Sequence, residues 1–285
     1  MKILFASMLF FACVMTNAFS HETPNTLDQI KQTGKIKIGY RESEPPMSFL
    51  NKVGKPVGYS IDLCNRIVTG VENAIGKEVD VEYIPVTAHS RFDALVENKI
   101  DILCGSTTKT LSRSKLVDFT QLTFVTGASL MTLKGEEFNE LSALDGKKVG
   151  VVRDTTTLET LKVMLKETLT DAKVVTFDTA LEAVDALRKG NIAAYSSDQV
   201  VLIGLVITAE DADNFTISPD VFSYEPFALA VQRNDADFRL VADSVLSKLN
   251  RTSQVNQIYN KWFGEFSEKR PPLHNVLYQL NSTPE

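Results

Sequence analysis

Twice along this chain, strand-like and helix-like runs alternate until three strands and two helices are complete. Residues 35–40, KIKIGY, alternate apolar and polar side chains as a strand does. From Gly58 to Val71 the apolar residues Ile61, Leu63, Cys64, Ile67, Val68 and Val71 fall at helical spacing. Residues 79–84, VDVEYI, alternate again. Ser90 is placed to open a helix faced by Phe92, Leu95 and Val96, and an apolar strand follows at 100–104. The second round runs through a strand at 146–152, a helix at 157–169, a strand at 173–177, a helix at 180–189 and a strand at 192–195. Such alternation predicts α/β units, each an open, mainly parallel sheet flanked by helices. The halves echo one another: a helix runs into NKIDILCGS in one and into KGNIAAYSSD in the other. After the second round come a strand at 226–232 and helices at 237–249 and 254–263, and Pro271-Pro272 is expected to end regular structure.

At 285 residues the chain has room for two domains of ordinary size. Its formal charge is −6 and its Lys and Arg are scattered, which argues against nucleic acid as a partner. The beginning differs from the rest. A basic Met1-Lys2 head precedes an apolar run from Ile3 to Val14, and small residues follow up to Ser20. This pattern predicts a cleaved signal peptide over residues 1–20 and an exported chain. A lipoprotein would use Cys13, but Phe10-Phe11-Ala12 is a poor lipidation box. Two cysteines follow the leader, Cys64 and Cys104, and export leaves open both a bridge and two buried thiols.

No catalytic motif announces itself. The three histidines, His21, His89 and His274, lack cysteine or carboxylate neighbours at metal spacing, so no metal and no cofactor is expected. What recurs is a set of polar groups at the carboxyl ends of the strands, where open α/β sheets bind ligands. Arg41 follows 36–40; Arg91 follows 79–84; Ser106, Thr108 and Arg113 follow 100–104; Thr155, Thr156 and Thr157 follow 147–152; Asp198 follows 192–195. A guanidinium suits a carboxylate because its planar fork donates two parallel hydrogen bonds. A lone Asp198 suits an ammonium. Three arginines and one carboxylate therefore fit a zwitterion with one further negative group. Taken singly, each arginine reads as a solvated surface charge and each hydroxyl or Asp198 as a helix cap. The binding reading rests on five strand ends agreeing.

Several segments carry a family resemblance. They are Gly39-Tyr40-Arg41-Glu42-Ser43, Gly58-Tyr59-Ser60-Ile61-Asp62-Leu63, Pro85 to Arg91, Cys104-Gly105-Ser106-Thr107-Thr108, Arg113, Asp118-Phe119-Thr120 and Asn260-Lys261-Trp262-Phe263. In this order they resemble the periplasmic amino-acid-binding proteins of ABC importers, over essentially the whole chain after the leader. RES after the first strand, combined with CGSTT, is most similar to the glutamate/aspartate branch. The resemblance implies a two-lobed Venus flytrap (type II) clamp without catalysis, with lobe 1 made of 21–126 and 225–285 and lobe 2 of 127–224. The crossings would fall near Thr123–Ser129 and Phe222–Pro226. It implies that Arg113 pairs with the α-carboxylate and Asp198 with the α-ammonium. Ser106, Thr108 and Thr156 or Thr157 would add contacts, and Arg41 and Arg91 would receive the side-chain carboxylate. It further implies a periplasmic monomer delivering its ligand to an inner-membrane permease. Ala88 and Ala180 depart from the branch, as does the segment Arg153 to Thr157, which lacks a Ser-Gly pair. These departures leave glutamine, asparagine or another polar amino acid open as ligand. Two rivals remain. A cyclohexadienyl dehydratase-like enzyme on the same fold would need a cleft acid, for which Glu42, Glu44 and Glu225 are the candidates. A binding protein serving a signalling receptor is the other.

Overall fold

The computed structural model describes residues 25–136, 138, 140–264 and 270–285. The predicted signal peptide, 1–20, lies outside the described residues. The first part of the chain forms α1 (Thr26–Thr33), β1 (Lys35–Tyr40), β2 (Ser43–Glu44), β3 (Ser48–Leu50), β4 (Pro56–Val57), α2 (Tyr59–Ile75), β5 (Asp80–Pro85), α3 (Arg91–Val96), β6 (Ile102–Cys104) and β7 (Asp118–Thr126). Then follow β8 (Ala128–Leu133), β9 (Lys148–Val152), α4 (Thr156–Glu167), β10 (Lys173–Phe177), α5 (Ala180–Arg188), β11 (Ala194–Asp198), α6 (Gln199–Thr208) and β12 (Phe215–Ile217). The last elements are β13 (Glu225–Val231), α7 (Ala236–Arg251), α8 (Val255–Phe263) and α9 (Pro272–Leu280).

Two five-stranded sheets result, ordered β5-β1-β6-β13-β7 and β10-β9-β11-β8-β12. In each, three strands run parallel with the earliest in the middle, as right-handed β-α-β units arrange them. The other two strands join antiparallel. Each sheet takes its fourth strand from just after a crossing: β8 follows β7 across Gly127, and β13 returns from the second sheet. Glycine is required at 127, where a Cβ would lie 2.4 Å from the Ser223 carbonyl oxygen on the returning segment. The two crossing segments thus run side by side.

Apolar periodicity explains the layers. One face of α2 buries Ile61, Leu63, Cys64, Ile67, Val68 and Val71 against the first sheet, with Phe238, Ala242 and Leu246 of α7 beside it. The opposite face is closed by Leu95 and Ile100, and α4 covers the second sheet with Leu158, Leu161 and Leu165. Burying a side chain of this size contributes about 1.5–3 kcal/mol. Cys64 and Cys104 are joined by a disulfide, Cα–Cα 6.4 Å, tying α2 to the end of β6.

Regular structure does not end at Pro271-Pro272, as the sequence suggested. Pro272 is the first residue of α9, where its missing N–H has no partner to lose and its fixed φ already suits a helix. The helix buries Leu277 and Tyr278, and the Tyr278 hydroxyl lies 3.0 Å from that of Tyr59. The strand expected at 192–195 is shifted to 194–198, where pairing with β8 from Thr132 to Ala128 sets its register. Among the described residues no helix is long and apolar enough to cross a membrane.

Candidate functional site

The carboxyl ends of β1, β6, β9 and β11 open onto one cleft between the sheets. All eight residues to which the resemblance gives a ligand contact, Arg41, Arg91, Ser106, Thr108, Arg113, Thr156, Thr157 and Asp198, line it, as does Thr155. The space between its walls is about 470 Å³, counting the part open to solvent.

The first sheet supplies the guanidiniums. Arg41 leaves β1 and Arg91 begins α3; they are 6% and 3% exposed, so neither is a solvated surface charge. Phe92 packs between two of them, with its ring 4.7 Å from the Arg91 guanidinium and 5.2 Å from that of Arg113. Arg113 donates to the Thr108 carbonyl oxygen at 2.9 Å. Arg91 donates to the carbonyl oxygens of Ala88 and, across the cleft, of Asp154 at 3.0 Å, while its Nε is buried without a partner. Burial, then the charges of Arg113 and Arg41, push the Arg91 pKa well down. The cluster therefore favours an anion.

The second sheet supplies the opposing carboxylate. Asp198 ends β11 at the N-cap of α6, yet its side chain caps nothing. Its Oδ1 is buried without a hydrogen-bond partner. Burial, then the nearby Glu225 and Glu44, raise its pKa well above the usual carboxylate range. A cation set against it would offset that cost. Thr155 does cap α4, accepting from the Leu158 amide at 3.2 Å. Ser106 and Thr108 bond instead to side-chain carboxylates.

Those carboxylates, Glu44 and Glu225, are the part that strand-end reasoning missed. Glu44 of β2 lies 2.7 Å from Arg41 Nη1 and accepts from the Ser106 hydroxyl. Glu225 starts β13. Its Oε2 accepts from Thr108 of the first wall at 2.6 Å and from Thr156 of the second at 2.7 Å, and its Oε1 accepts from Ser223 at 2.8 Å. Glu42 by contrast is exposed. Ala180 also lines the cleft. His89 and Asp154, both exposed, pair Nδ1 to Oδ2 at 2.9 Å. Among the described residues no cluster of His, Cys, Asp and Glu could hold a metal.

Comparison with known proteins places this geometry. The "L-glutamate/L-aspartate-binding protein" of Pseudomonas aeruginosa is 30% identical over 91% of this chain and 87% of its own length. The "Glutamate/aspartate import solute-binding protein" of Salmonella typhimurium is 31% identical over 90% of this chain and 85% of its own. A solved structure of an ancestral arginine-binding protein bound to glutamine superposes with a TM-score of 0.73, at 30% identity, covering 81% of this chain and 98% of that one. The fold is the two-lobed clamp of the amino-acid-binding proteins, built from the two sheets described above. Residues 36–265 match a single family model, and the chain belongs to the bacterial extracellular solute-binding proteins, family 3.

Proposed function

We propose that this protein is the extracytoplasmic solute-binding component of an ABC importer. It holds a polar α-amino acid, in the first place L-glutamate or L-aspartate, between its lobes and hands it to an inner-membrane permease. The observation that carries this reading is the opposition of Arg113 and Asp198. They bring unlike charges from the two sheets to one cleft, and Asp198 Oδ1 is buried without a partner. An α-carboxylate on Arg113 and an α-ammonium on Asp198 would pair both, and Ser106, Thr108, Thr156 and Thr157 stand ready with hydroxyls. Arg41 and Arg91 give a distal carboxylate its partners, and the relatives in Pseudomonas aeruginosa and Salmonella typhimurium are named for acidic amino acids. Residues 21–126 with 225–285 would form one lobe and 127–224 the other, hinged at the paired crossings. The protein would act in the periplasm as a monomer. A second reading, a neutral amide such as L-glutamine, is favoured by Glu44, which already sits on Arg41. An ammonium-binding Asp198 does not serve a dehydratase, and Glu44 and Glu225 are both engaged by hydroxyl donors. No catalysis is proposed.

The test is calorimetry on protein stripped of bound ligand by unfolding and refolding. L-glutamate, L-aspartate, L-glutamine and L-asparagine are titrated separately. One-site binding of an acidic amino acid at micromolar affinity or better, about −8 kcal/mol, is the expected result. Silence from all four would overturn the proposal.

Clamping also leaves a mark in the packing. Gly204 of α6 faces the Pro45–Pro46 segment, and a Cβ there would lie 2.2 Å from the Pro45 carbonyl oxygen. In Gly204→Ala the helix itself gains from the better helix former, while the contact between the walls is forced apart. Overpacking costs about 1–3 kcal/mol. Unchanged circular dichroism, ligand affinity down by about tenfold and a larger radius of gyration by small-angle scattering are expected.

A further inference from the structure

Three guanidiniums and three carboxylates meet at the cleft. Arg41, Arg91 and Arg113 line it with Glu44 and Asp198, and Glu225 is bonded to its wall residues Thr108 and Thr156. The partners are not equally shared. Asp198 Oδ1 and Arg91 Nε are unpaired, whereas Arg41 is taken. Glu44 Oε1 lies 2.7 Å from its Nη1, both side chains are about one-tenth exposed, and the second Glu44 oxygen takes the Ser106 hydroxyl. One protein carboxylate thus occupies Arg41, one of the two guanidiniums assigned above to the far end of the ligand, together with the neighbouring Ser106 hydroxyl. We propose that Glu44 is a specificity-determining residue that acts as a tethered competitor, lowering affinity for ligands with a distal carboxylate relative to those with a distal amide. This inference rests on the amino-acid-binding reading above and concerns the regulation of selectivity at that same site.

The physical reasons are two. A distal carboxylate entering beside Glu44 puts like charges a few ångströms apart in a poorly solvated cleft. Either Glu44 rotates off Arg41 and Ser106, or two carboxylates share their donors, and both cost. Arg91 then carries most of the ligand's distal charge. An amide meets no such repulsion, because its N–H donors can point at Glu44 and its oxygen at Arg91. Backbone geometry holds Glu44 in place. Ser48 accepts from the Arg41 amide at 2.9 Å and donates to the Arg41 carbonyl, which fixes the turn from β1 through β2 into β3. A Cβ at Gly105 would lie 3.0 Å from Arg41 Cγ, so the stem of Arg41 packs over a residue that has no side chain.

The experiment compares wild type with Glu44→Gln by calorimetry against L-glutamate and L-glutamine. Removing the charge but keeping the shape should tighten L-glutamate by about tenfold and leave L-glutamine within about threefold. Glu44→Asp, which keeps the charge, should leave the ratio of the two affinities near that of wild type. If Glu44→Gln fails to fold, Glu44→Ser carries the same expectation. An unchanged ratio, or a shift towards L-glutamine, in a variant that still binds either ligand would overturn the role of Glu44 and leave the amino-acid reading intact. Loss of binding of every amino acid by wild type would instead strike the reading itself.

Discussion

Arg113→Ala is expected to weaken amino-acid binding by at least about 100-fold while leaving the fold in place. Truncating one partner of a buried, hydrogen-bonded charge pair typically costs about 2–5 kcal/mol, because the group left behind keeps its desolvation cost. Here two groups would be left: the ligand's α-carboxylate and, beside it, Asp198, whose pKa burial already pushes up. Burial also pulls the Arg113 pKa down, opposed by Glu225 and Asp198. The guanidinium keeps its charge even so, because arginine is not deprotonated in proteins. Its structural contribution is small: one bond to the Thr108 carbonyl and a stacked position over Phe92, on a short turn rather than in a core. The melting temperature should accordingly move little. Arg113→Lys should not rescue binding, since an ammonium cannot give the two parallel bonds of the fork. Thr155→Ala, at a helix cap, makes a useful contrast: stability falls by about 1 kcal/mol and affinity stays within a few-fold. Calorimetry at fixed salt separates the two. Wild-type affinity in Arg113→Ala would mean that the α-carboxylate lies elsewhere in the cleft.

Why eight cleft residues stood out as binding groups, while Glu44 and Glu225 entered only as candidate acids of a rival enzyme, follows from where each sits. Arg41, Ser106, Thr156 and Asp198 stand at or just beyond strand ends, and an α/β sheet delivers that position to its ligand face whatever the rest of the chain does. Glu44 sits on a two-residue strand in the small β2-β3-β4 meander, too short to show a period. Glu225 opens a strand that returns from the other sheet. Its partners, Thr108 and Thr156, are 117 and 69 residues away, so no local pattern names them. The same distinction holds for the fold. The helix at 58–71 announced itself because one of its faces is polar. Residues 199–208, QVVLIGLVIT, are apolar on all sides and gave no helical period, because α6 is packed both on the second sheet and against Pro45–Pro46. The Pro271-Pro272 pair was legible as punctuation but not as to direction, since proline can open a helix as well as close one. Whether the two cysteines pair was undecidable without the distance between their Cα atoms.

That pairing carries the second large effect. In Cys64→Ala/Cys104→Ala the free energy of unfolding is expected to fall by about 3–4 kcal/mol. The bridge spans 40 residues of sequence, and chain-entropy reasoning for a loop of that length gives about 4 kcal/mol. Both sulfurs are fully buried among apolar neighbours, so alanine leaves only small cavities and introduces no unsatisfied hydroxyl, as serine would. Much of the interface survives: Ile61, Leu63, Ile67 and Val68 still pack on the sheet, and the Ser60 hydroxyl still donates to the Gly105 carbonyl at 3.0 Å. The variant should therefore fold, with its urea midpoint lowered. Its m-value should rise slightly, because an unfolded chain freed of the bridge exposes more surface. Binding should feel the change too. Cys104 ends β6 immediately before Gly105-Ser106, so the bridge holds a strand end that the ligand's donors depend on, and affinity should drop by a few-fold. The same logic ties the bond to the compartment. Bridges of this kind form and persist where thiols are oxidised. Thiol titration of native protein under denaturing conditions gives the prior check, with no reactive sulfhydryl from either residue. A stability loss under about 1 kcal/mol would show that the pair contributes as two packed sulfurs rather than as a cross-link.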